Sequence, residues 1–150
     1  MPPTTTARED RTAAALRARG YRVTPQRLAI QEIVEAIGHH ASVEEVAREA
    51  ASRLPGVSLP TVYSALDALE DAGLLRRVAA GRGPALYDAG PEHHHLVCRR
   101  CGRVEDLEAE LSLSPAIAQA RRRGFDPEGA EVVVRGLCSE CRERERRSRA

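Results

Sequence analysis

The four cysteines of this chain stand in two CxxC pairs, Cys98 with Cys101 and Cys138 with Cys141. A CxxC turn directs two thiolates at one ion, and two such turns supply the sulfur ligands of a tetrahedral Zn²⁺ site. Residues 102–137 separate the pairs, which is more than a zinc ribbon needs and enough for a strand and a helix. The spacing predicts a structural zinc site that ties two ends of one domain together. Redox-active dithiols and simple buried thiols are the alternatives.

The N-terminal sequence MPPTTTARED is polar and does not resemble a secretory signal, and no apolar run is long enough to span a membrane. These features predict a cytoplasmic location, where disulfides are rare. The 150 residues suffice for one domain or two small ones. Aromatic residues are only 3% of the chain, so we expect metal binding or dimerisation to contribute to stability. The net charge of +1 gives no argument for nucleic-acid binding.

The first half of the chain carries a series of helix start and stop signals. An Ala-rich stretch over 12–19 predicts a first helix that follows a frayed arm at 1–10. Thr24 and Ser58 are N-cap residues with Pro in the turn that follows, and Ser42 with Glu45 forms a capping box. Two short apolar stretches, 74–78 and 84–88, predict a hairpin with a turn at 79–83. Helices followed by a hairpin are the plan of a winged helix-turn-helix, whose fourth helix enters the major groove.

The second half has a different pattern. Strands are expected around the first CxxC, at 93–98 and 103–107, followed by a helix over 111–123, a Val-rich strand at 131–134 and a charged tail at 142–149. His93 and His95 are two positions apart, so on a strand their side chains share one face and can bind one ion. The fold class predicted from both halves is α+β.

Several motifs together resemble those of the ferric uptake regulator (Fur) family of bacterial metal-dependent repressors. They are Arg-Val-Thr-Pro-Gln-Arg at 22–27, Thr-Val-Tyr at 61–63, Tyr-Asp at 87–88, the segment 93–102 that runs from the three histidines through the first CxxC, and the segment 136–141 around the second. The resemblance covers about residues 11–141.

The resemblance implies a homodimer in which each chain has a winged-helix DNA-binding domain (1–83), a hinge (84–91) and a small α/β dimerisation domain (92–150). It implies a structural Zn²⁺ on Cys98, Cys101, Cys138 and Cys141. It also implies an exchangeable Fe²⁺ or Mn²⁺ between the domains, held by the residues at the matching positions: His40, Asp88, His93, His95 and Asp106. Three histidines and two carboxylates form a mixed nitrogen and oxygen site, which suits these ions. His39 is expected to be a neighbour of that site. A third site using Glu92, His94 and either Glu108 or Glu110 remains open.

For DNA, the resemblance implies contacts to an A·T-rich duplex. Arg22 would enter a narrow minor groove, where the negative potential is strongest. Tyr63 would contact bases or backbone, together with Thr61 and Ser64 on the same helix. Arg76 and Arg77 would contact phosphates from the wing.

Both carboxylates of the predicted regulatory site are aspartates, Asp88 and Asp106, which is typical of the peroxide-sensing (PerR-like) branch of the family. The alternative is a repressor that responds to iron, or to Mn, Ni or Zn. The chain is not expected to be an enzyme, because it has neither an HxE nor an HExxH motif and four thiolates leave no open metal position. The winged-helix half disfavours a zinc ribbon that only docks on another protein.

Overall fold

The computed structural model describes residues 5–38, 40–78 and 84–150. These residues form two compact units: an N-terminal unit that ends at Gly90 and a C-terminal unit that begins at Pro91. Within the described ranges, no helix is both long enough and apolar enough to cross a membrane.

The helices of the N-terminal unit begin where short polar side chains cap them. They are α1 (Thr5–Ala18), α2 (Pro25–Ile37), α3 (Val43–Arg53) and α4 (Leu59–Asp71). The side chains of Thr24, Ser42 and Ser58 each accept the backbone N–H three residues later, which confirms the three predicted caps. The backbone N–H of Ser42 also donates to the Glu45 carboxylate at 2.8 Å, which completes the capping box.

A small antiparallel sheet closes the N-terminal unit. Its strands are β1 (Ala41–Ser42), β2 (Arg76–Val78) and β3 (Leu86–Asp88), in the order β1-β3-β2. Tyr87 lies opposite both Ala41 and Arg77, and its ring is buried. The rest of the core is aliphatic and comes from all four helices, with Leu16, Ile30, Ile33, Val34, Val46, Val62, Leu66 and Leu69 fully or almost fully buried. This is the predicted winged helix.

The C-terminal unit is a second three-stranded sheet with two helices. Its elements are β4 (His94–Cys98), β5 (Val104–Leu107), α5 (Ser114–Arg122), β6 (Val133–Gly136) and α6 (Ser139–Arg149). The strand order is β5-β4-β6, with β4 antiparallel to β5 and parallel to β6. A parallel pair needs a crossover connection, and the segment that contains α5 provides it.

Some elements differ from the sequence predictions. Helix α1 begins at Thr5, well inside the predicted frayed arm, since Leu16 is buried and Arg8 pairs with Glu35 of α2 at 3.8 Å. The predicted charged tail forms helix α6. Of the predicted hinge at 84–91, residues 84–90 pack with the N-terminal unit, because β3 pairs with both other strands of its sheet. The predicted wing turn at 79–83 lies outside the described residues.

The capping box of α3 allows the contribution of a helix cap to stability to be tested. Replacing Ser42 with Ala removes the acceptor for the Glu45 N–H, and we expect the N-terminal unit to lose about 1 kcal/mol of stability. Urea unfolding followed by circular dichroism measures this loss. Ser52 is the matched control, since its hydroxyl only donates to the Glu49 carbonyl on an exposed face. Ser52→Ala should change stability by less than about 0.5 kcal/mol, and equal losses in both variants would contradict the capping role.

Candidate metal centres and nucleic-acid interface

The four cysteines of the C-terminal unit form one cluster. Their sulfur atoms lie within 4.8 Å of one another. Cys98 ends β4 opposite Gly136 of β6, so the parallel register carries the second CxxC alongside the first. The sulfurs of Cys101 and Cys138 are 3.8 Å apart. Four Zn–S bonds of 2.3 Å in a tetrahedron give an edge of about 3.8 Å, so this spacing fits a structural Zn²⁺.

The charges within the cluster also favour a cation. Backbone N–H groups, of Cys101 first and of Cys138 next, lower the pKa of Cys98 to about 6. Burial, followed by the neighbouring thiols, raises the pKa of Cys141 to about 12. Thiolates this close repel one another, so all four ionise together only around a positive ion. The cluster therefore has the donor set and spacing of a structural zinc site.

A second cluster lies at the other end of β4. The rings of His93 and His95 have centroids 4.5 Å apart, and His95 lies directly opposite Asp106 in β5. The His93 Nε2 atom is 2.9 Å from an Asp106 carboxylate oxygen. Three of the five predicted regulatory ligands are thus adjacent within the C-terminal unit.

The two ring nitrogens of His93 have different partners. Its Nδ1 atom is 2.7 Å from the Pro91 carbonyl oxygen, which can only accept, so we assign the proton to Nδ1. In the neutral ring, Nε2 then presents a lone pair to the Asp106 carboxylate. Two acceptors at this distance need a proton or a metal cation between or beside them. A second ring proton, forming an imidazolium–carboxylate pair, or a divalent cation would each satisfy this contact.

Glu131 is a member of this cluster that the sequence analysis missed. Its carboxylate lies 3.3 Å from the Nδ1 atom of His95, and the His95 side chain is only 2% exposed. A carboxylate on one ring nitrogen orients a histidine and makes the other nitrogen a better metal ligand. Glu131 approaches His95 because the His95 N–H donates to the Val132 carbonyl at the start of the β4–β6 pairing.

The remaining predicted ligands belong to the N-terminal unit. Asp88 ends β3, and His40 directly precedes β1. Ala41 pairs with Tyr87, so extending the antiparallel register by one residue brings position 40 opposite position 88. One Asp88 carboxylate oxygen accepts the Gly90 N–H at 2.7 Å, which fixes the side chain. His39 lies outside the described residues.

His94 has different surroundings from the other two histidines of its run. Its Nδ1 atom accepts the Val132 N–H at 3.1 Å, so a neutral ring carries its proton on Nε2. It lines a cavity with Glu92 and with the apolar side chains Leu111, Leu113 and Ile117. Within the described residues His94 joins no group of possible metal ligands, and neither Glu108 nor Glu110 lines this cavity.

Three of the predicted DNA contacts line one groove of the N-terminal unit. Arg22, Thr61 and Ser64 border it, and Tyr63 is 45% exposed on the same helix α4. Gln26 and Arg27 also line the groove, although the sequence analysis did not select them. Both residues lie in the first turn of α2, directly after the Thr24 cap. The predicted cap was therefore the sequence signal that could have placed them near Arg22.

The two predicted wing contacts are engaged inside the N-terminal unit. The guanidinium of Arg76 donates to the Gly90 carbonyl. That of Arg77 donates to the Tyr87 hydroxyl at 2.9 Å and pairs with Asp67 and Glu70 of α4. Their contact with phosphate stays a prediction.

Comparison with known proteins identifies the family. Residues 18–135 match the model of the ferric uptake regulator family. The chain belongs to this family. It is a metal-responsive transcriptional regulator, and members of the family are regulators and not enzymes.

Relatives of known function show the same likeness. The chain is 37% identical over 131 residues to the transcriptional regulator FurA of Mycobacterium tuberculosis, which covers 86% of this chain and 88% of that protein. It is 39% identical over 120 residues to ferric uptake regulation protein 1 of Mycolicibacterium fortuitum, at 79% and 74% coverage. It is 29% identical over 132 residues to the peroxide-responsive repressor PerR of Staphylococcus epidermidis, at 87% coverage of each.

Solved structures confirm the predicted fold class. The ferric uptake regulator from Pseudomonas aeruginosa with manganese is 28% identical, with a TM-score of 0.64 over 84% of this chain and 96% of that one. The Helicobacter pylori ferric uptake regulator Fur is 19% identical, with a TM-score of 0.71 over 93% of this chain and 95% of that one, a likeness of fold alone. The fold is a winged helix-turn-helix followed by an α/β dimerisation domain.

The zinc assignment predicts the behaviour of a cysteine variant. Cys141→Ser replaces a buried thiolate, so dialysed protein should fall from about one Zn²⁺ per chain to almost none and should unfold at lower temperature. Inductively coupled plasma mass spectrometry and calorimetry measure these changes. The exposed Ser139, two positions away, gives the matched control Ser139→Ala, which should keep its zinc. A stable Cys141→Ser protein with stoichiometric zinc would overturn the assignment.

The Glu131 contact predicts a separate effect at the histidine cluster. Glu131→Gln keeps the side-chain shape but removes the charge beside His95, and we expect Mn²⁺ binding to weaken by about tenfold or more. Isothermal titration of the zinc-loaded protein with Mn²⁺ measures the change. Glu108→Gln, at an exposed carboxylate just beyond β5, is the control. If both variants bind Mn²⁺ like the parent, Glu131 does not support the site.

Proposed function

We propose that the chain is an iron-responsive repressor that binds A·T-rich duplex DNA as a homodimer. The contact between His93 and Asp106, beside the buried ring of His95, carries this proposal. Relatives at 37–39% identity named FurA and ferric uptake regulation protein 1 support iron uptake as the regulated process. They support it better than the 29% relative PerR supports peroxide sensing.

The proposed regulatory metal is Fe²⁺, with Mn²⁺ as a substitute. His93, His95 and Asp106 would bind it from the C-terminal unit, and His40 and Asp88 would complete the ligand set. Nitrogen and oxygen donors suit both ions, whereas the thiolates of the other site prefer softer ones. The metal, when bound, would supply a positive charge to which these carboxylates and imidazole nitrogens donate electron pairs. Glu131 keeps the His95 ring oriented.

A ligand set drawn from two units gives a reason for metal-dependent DNA binding. A cation that needs His40 and Asp88 together with His93 and His95 binds best to the arrangement in which all of them converge. Metal binding then raises the population of that arrangement. If the same arrangement binds the operator, metal and DNA reinforce each other by equal factors.

The proposed DNA contacts centre on helix α4 and the groove beside it. Tyr63 and Ser64 would face the major groove, with Arg22 reaching an adjacent minor groove. Thr61 sits at the mouth of the groove, its hydroxyl 2.8 Å from that of Ser58. Gln26 and Arg27 would add phosphate contacts. Such a repressor acts in the cytoplasm, where its zinc thiolates stay reduced.

Exposed apolar side chains support the homodimer. In the C-terminal unit Phe125 is 70% exposed, Val134 47% and Leu111 46%. Val134 stands on β6, an edge strand of its sheet. Exposed apolar side chains of this size, one of them on an edge strand, are typical of a surface that a second copy covers.

Peroxide sensing is the second candidate, and one observation favours it. Both proposed carboxylate ligands, Asp88 and Asp106, are aspartates. The shorter side chain leaves more room around a bound metal than glutamate does. This observation concerns two residues, whereas the similarity to FurA and to ferric uptake regulation protein 1 extends over most of the chain.

Removing one histidine tests the proposal. His93→Ala should lower Mn²⁺-dependent affinity for an A·T-rich duplex to the metal-free level, a loss of about tenfold to a hundredfold. Fluorescence anisotropy at saturating Mn²⁺ measures it, with zinc content checked in parallel. His94→Ala is the matched control, because His94 bonds to backbone and should leave the metal response intact. Full metal dependence in His93→Ala would exclude this site.

A peroxide arm separates the two candidates. The Fe²⁺-loaded wild-type protein on DNA is exposed to hydrogen peroxide, and DNA release is followed by fluorescence anisotropy. The masses of tryptic fragments are measured at early times by mass spectrometry. We expect the protein to stay bound and His40 and His93 to keep their mass. DNA release with one added oxygen on either histidine would instead identify a peroxide sensor.

A further inference from the structure

Arg77 makes polar contacts both with strand β3 and with helix α4 of the N-terminal unit. It lies on β2, next to β3, and its guanidinium donates to the Tyr87 hydroxyl at 2.9 Å. The same cation lies 5.5 Å from the centre of the Tyr87 ring. Tyr87 is buried, with 1% of its surface exposed, so its position is fixed by the core. Arg77 is therefore held against a rigid part of β3 by both the hydroxyl and the ring face.

The other side of the same guanidinium contacts helix α4. It lies 3.4 Å from an Asp67 carboxylate oxygen and 3.3 Å from one of Glu70. These two residues are three positions apart, so they project from one face of the helix. A single side chain thus joins the α4 helix to strand β3.

Strand β3 also carries a proposed metal ligand. Asp88 directly follows Tyr87, and its carboxylate accepts the Gly90 N–H at 2.7 Å. The Gly90 carbonyl in turn accepts from Arg76, the residue before Arg77. The two successive arginines of β2 therefore contact the turn that holds Asp88 and the helix that carries Tyr63 and Ser64.

We propose that Arg77 is a positioning residue that couples Asp88 to helix α4, so that metal binding at Asp88 sets the orientation in which α4 meets DNA. This coupling rests on the proposed function, in which Asp88 is a metal ligand and α4 reads the operator. The path is short and continuous: Asp88, the adjacent Tyr87, the Arg77 guanidinium, and the carboxylates of α4.

The exposure of these groups indicates orientation rather than stability as their role. The side chains of Arg77, Asp67 and Glu70 are 47%, 66% and 36% exposed. Ion pairs this exposed contribute little to the free energy of folding. Loss of these ion pairs in Arg77 variants should therefore cost little stability, and the main defect should lie in the link between metal and DNA.

A direct phosphate contact by Arg77 is the competing explanation, and it has a different signature. Losing a phosphate contact weakens DNA binding with and without metal and reduces the slope of log affinity against log salt by about one. Losing a positioning contact leaves that slope unchanged. It lowers only the ratio of metal-loaded to metal-free DNA affinity.

The experiment uses the full-length, zinc-loaded protein, with Mn²⁺ as the regulatory metal and an A·T-rich duplex. Arg77→Gln and Tyr87→Phe remove the two ends of the central hydrogen bond. Arg53→Gln is the matched control for a lost arginine, since Arg53 pairs only with the exposed Glu49 of its own helix among the contacts described. Tyr21→Phe is the control for a lost hydroxyl, because Tyr21 faces Asp71 of the same helix α4 without involving β3.

We expect the affinity ratio to fall about tenfold in Arg77→Gln and in Tyr87→Phe, a change within the usual range of coupling between sites. Mn²⁺ affinity without DNA should stay within about twofold, while Mn²⁺ affinity on DNA should fall by the same factor as the ratio. The double variant should lose no more than Arg77→Gln alone, because that variant already removes the hydrogen bond that Tyr87→Phe removes. The controls should keep the wild-type ratio.

Two outcomes would overturn the coupling alone. One is an unchanged ratio in both variants while the wild type responds to Mn²⁺. The other is an equal loss with and without metal, accompanied by a smaller salt slope, which would make Arg77 a phosphate contact. A wild-type protein that binds DNA equally with and without Mn²⁺ would overturn the proposed function, and this coupling with it.

Discussion

Strand β4 is hydrogen-bonded along both edges, and its register with β5 and β6 determines the chemistry at both of its ends. At one end Cys98 lies opposite Gly136, which brings the second CxxC beside the first. At the other end His95 lies opposite Asp106, with the chain of Glu131 entering from the β6 side. Because side chains alternate along a strand, a slip of one residue would turn His95 away from both carboxylates and separate the thiolates. One register thus serves two metal centres.

The N-terminal unit depends on a different balance. Its helices are bounded by local caps, and its core is almost entirely aliphatic around the buried ring of Tyr87. Helix α4 packs its apolar face against α2 and α3, and the hydrophobic effect that drives this packing has no directional preference. The directional contacts are the few polar ones, among them those of Arg76 and Arg77 on β2. We therefore expect the fine orientation of α4 to depend on a small number of polar side chains.

The features that were predictable from sequence are those set by short spacing. The caps at Thr24, Ser42 and Ser58 act over three residues, and each CxxC or HxH pair acts over two or three. The proximity of Glu131 to His95 was not predictable, because it depends on a parallel pairing across the segment that contains α5. The partners of Arg77 were also missed, because they are distant along the chain. Asp67 and Tyr87 are each ten positions from Arg77, in opposite directions. Helix α6 was predicted only as a charged tail, because its sequence has no apolar stripe. In the structure Cys141 is its one buried residue.

The two clusters of the C-terminal unit differ in their donor atoms, and this difference favours different metals at each. Zn²⁺ binds most nitrogen and oxygen sites at least as tightly as Fe²⁺ or Mn²⁺ does, so affinity alone would favour zinc at the histidines too. Four thiolates, however, hold zinc far more strongly than a mixed set can, and two of these cysteines are buried. Zinc bound there is expected to contribute to folding, because its binding free energy is also folding free energy. The histidine cluster has harder nitrogen and oxygen donors, one of which, Asp106, is 54% exposed. We therefore expect the histidine cluster to bind a metal that exchanges more readily than the zinc, which is the property that a metal-responsive regulator requires.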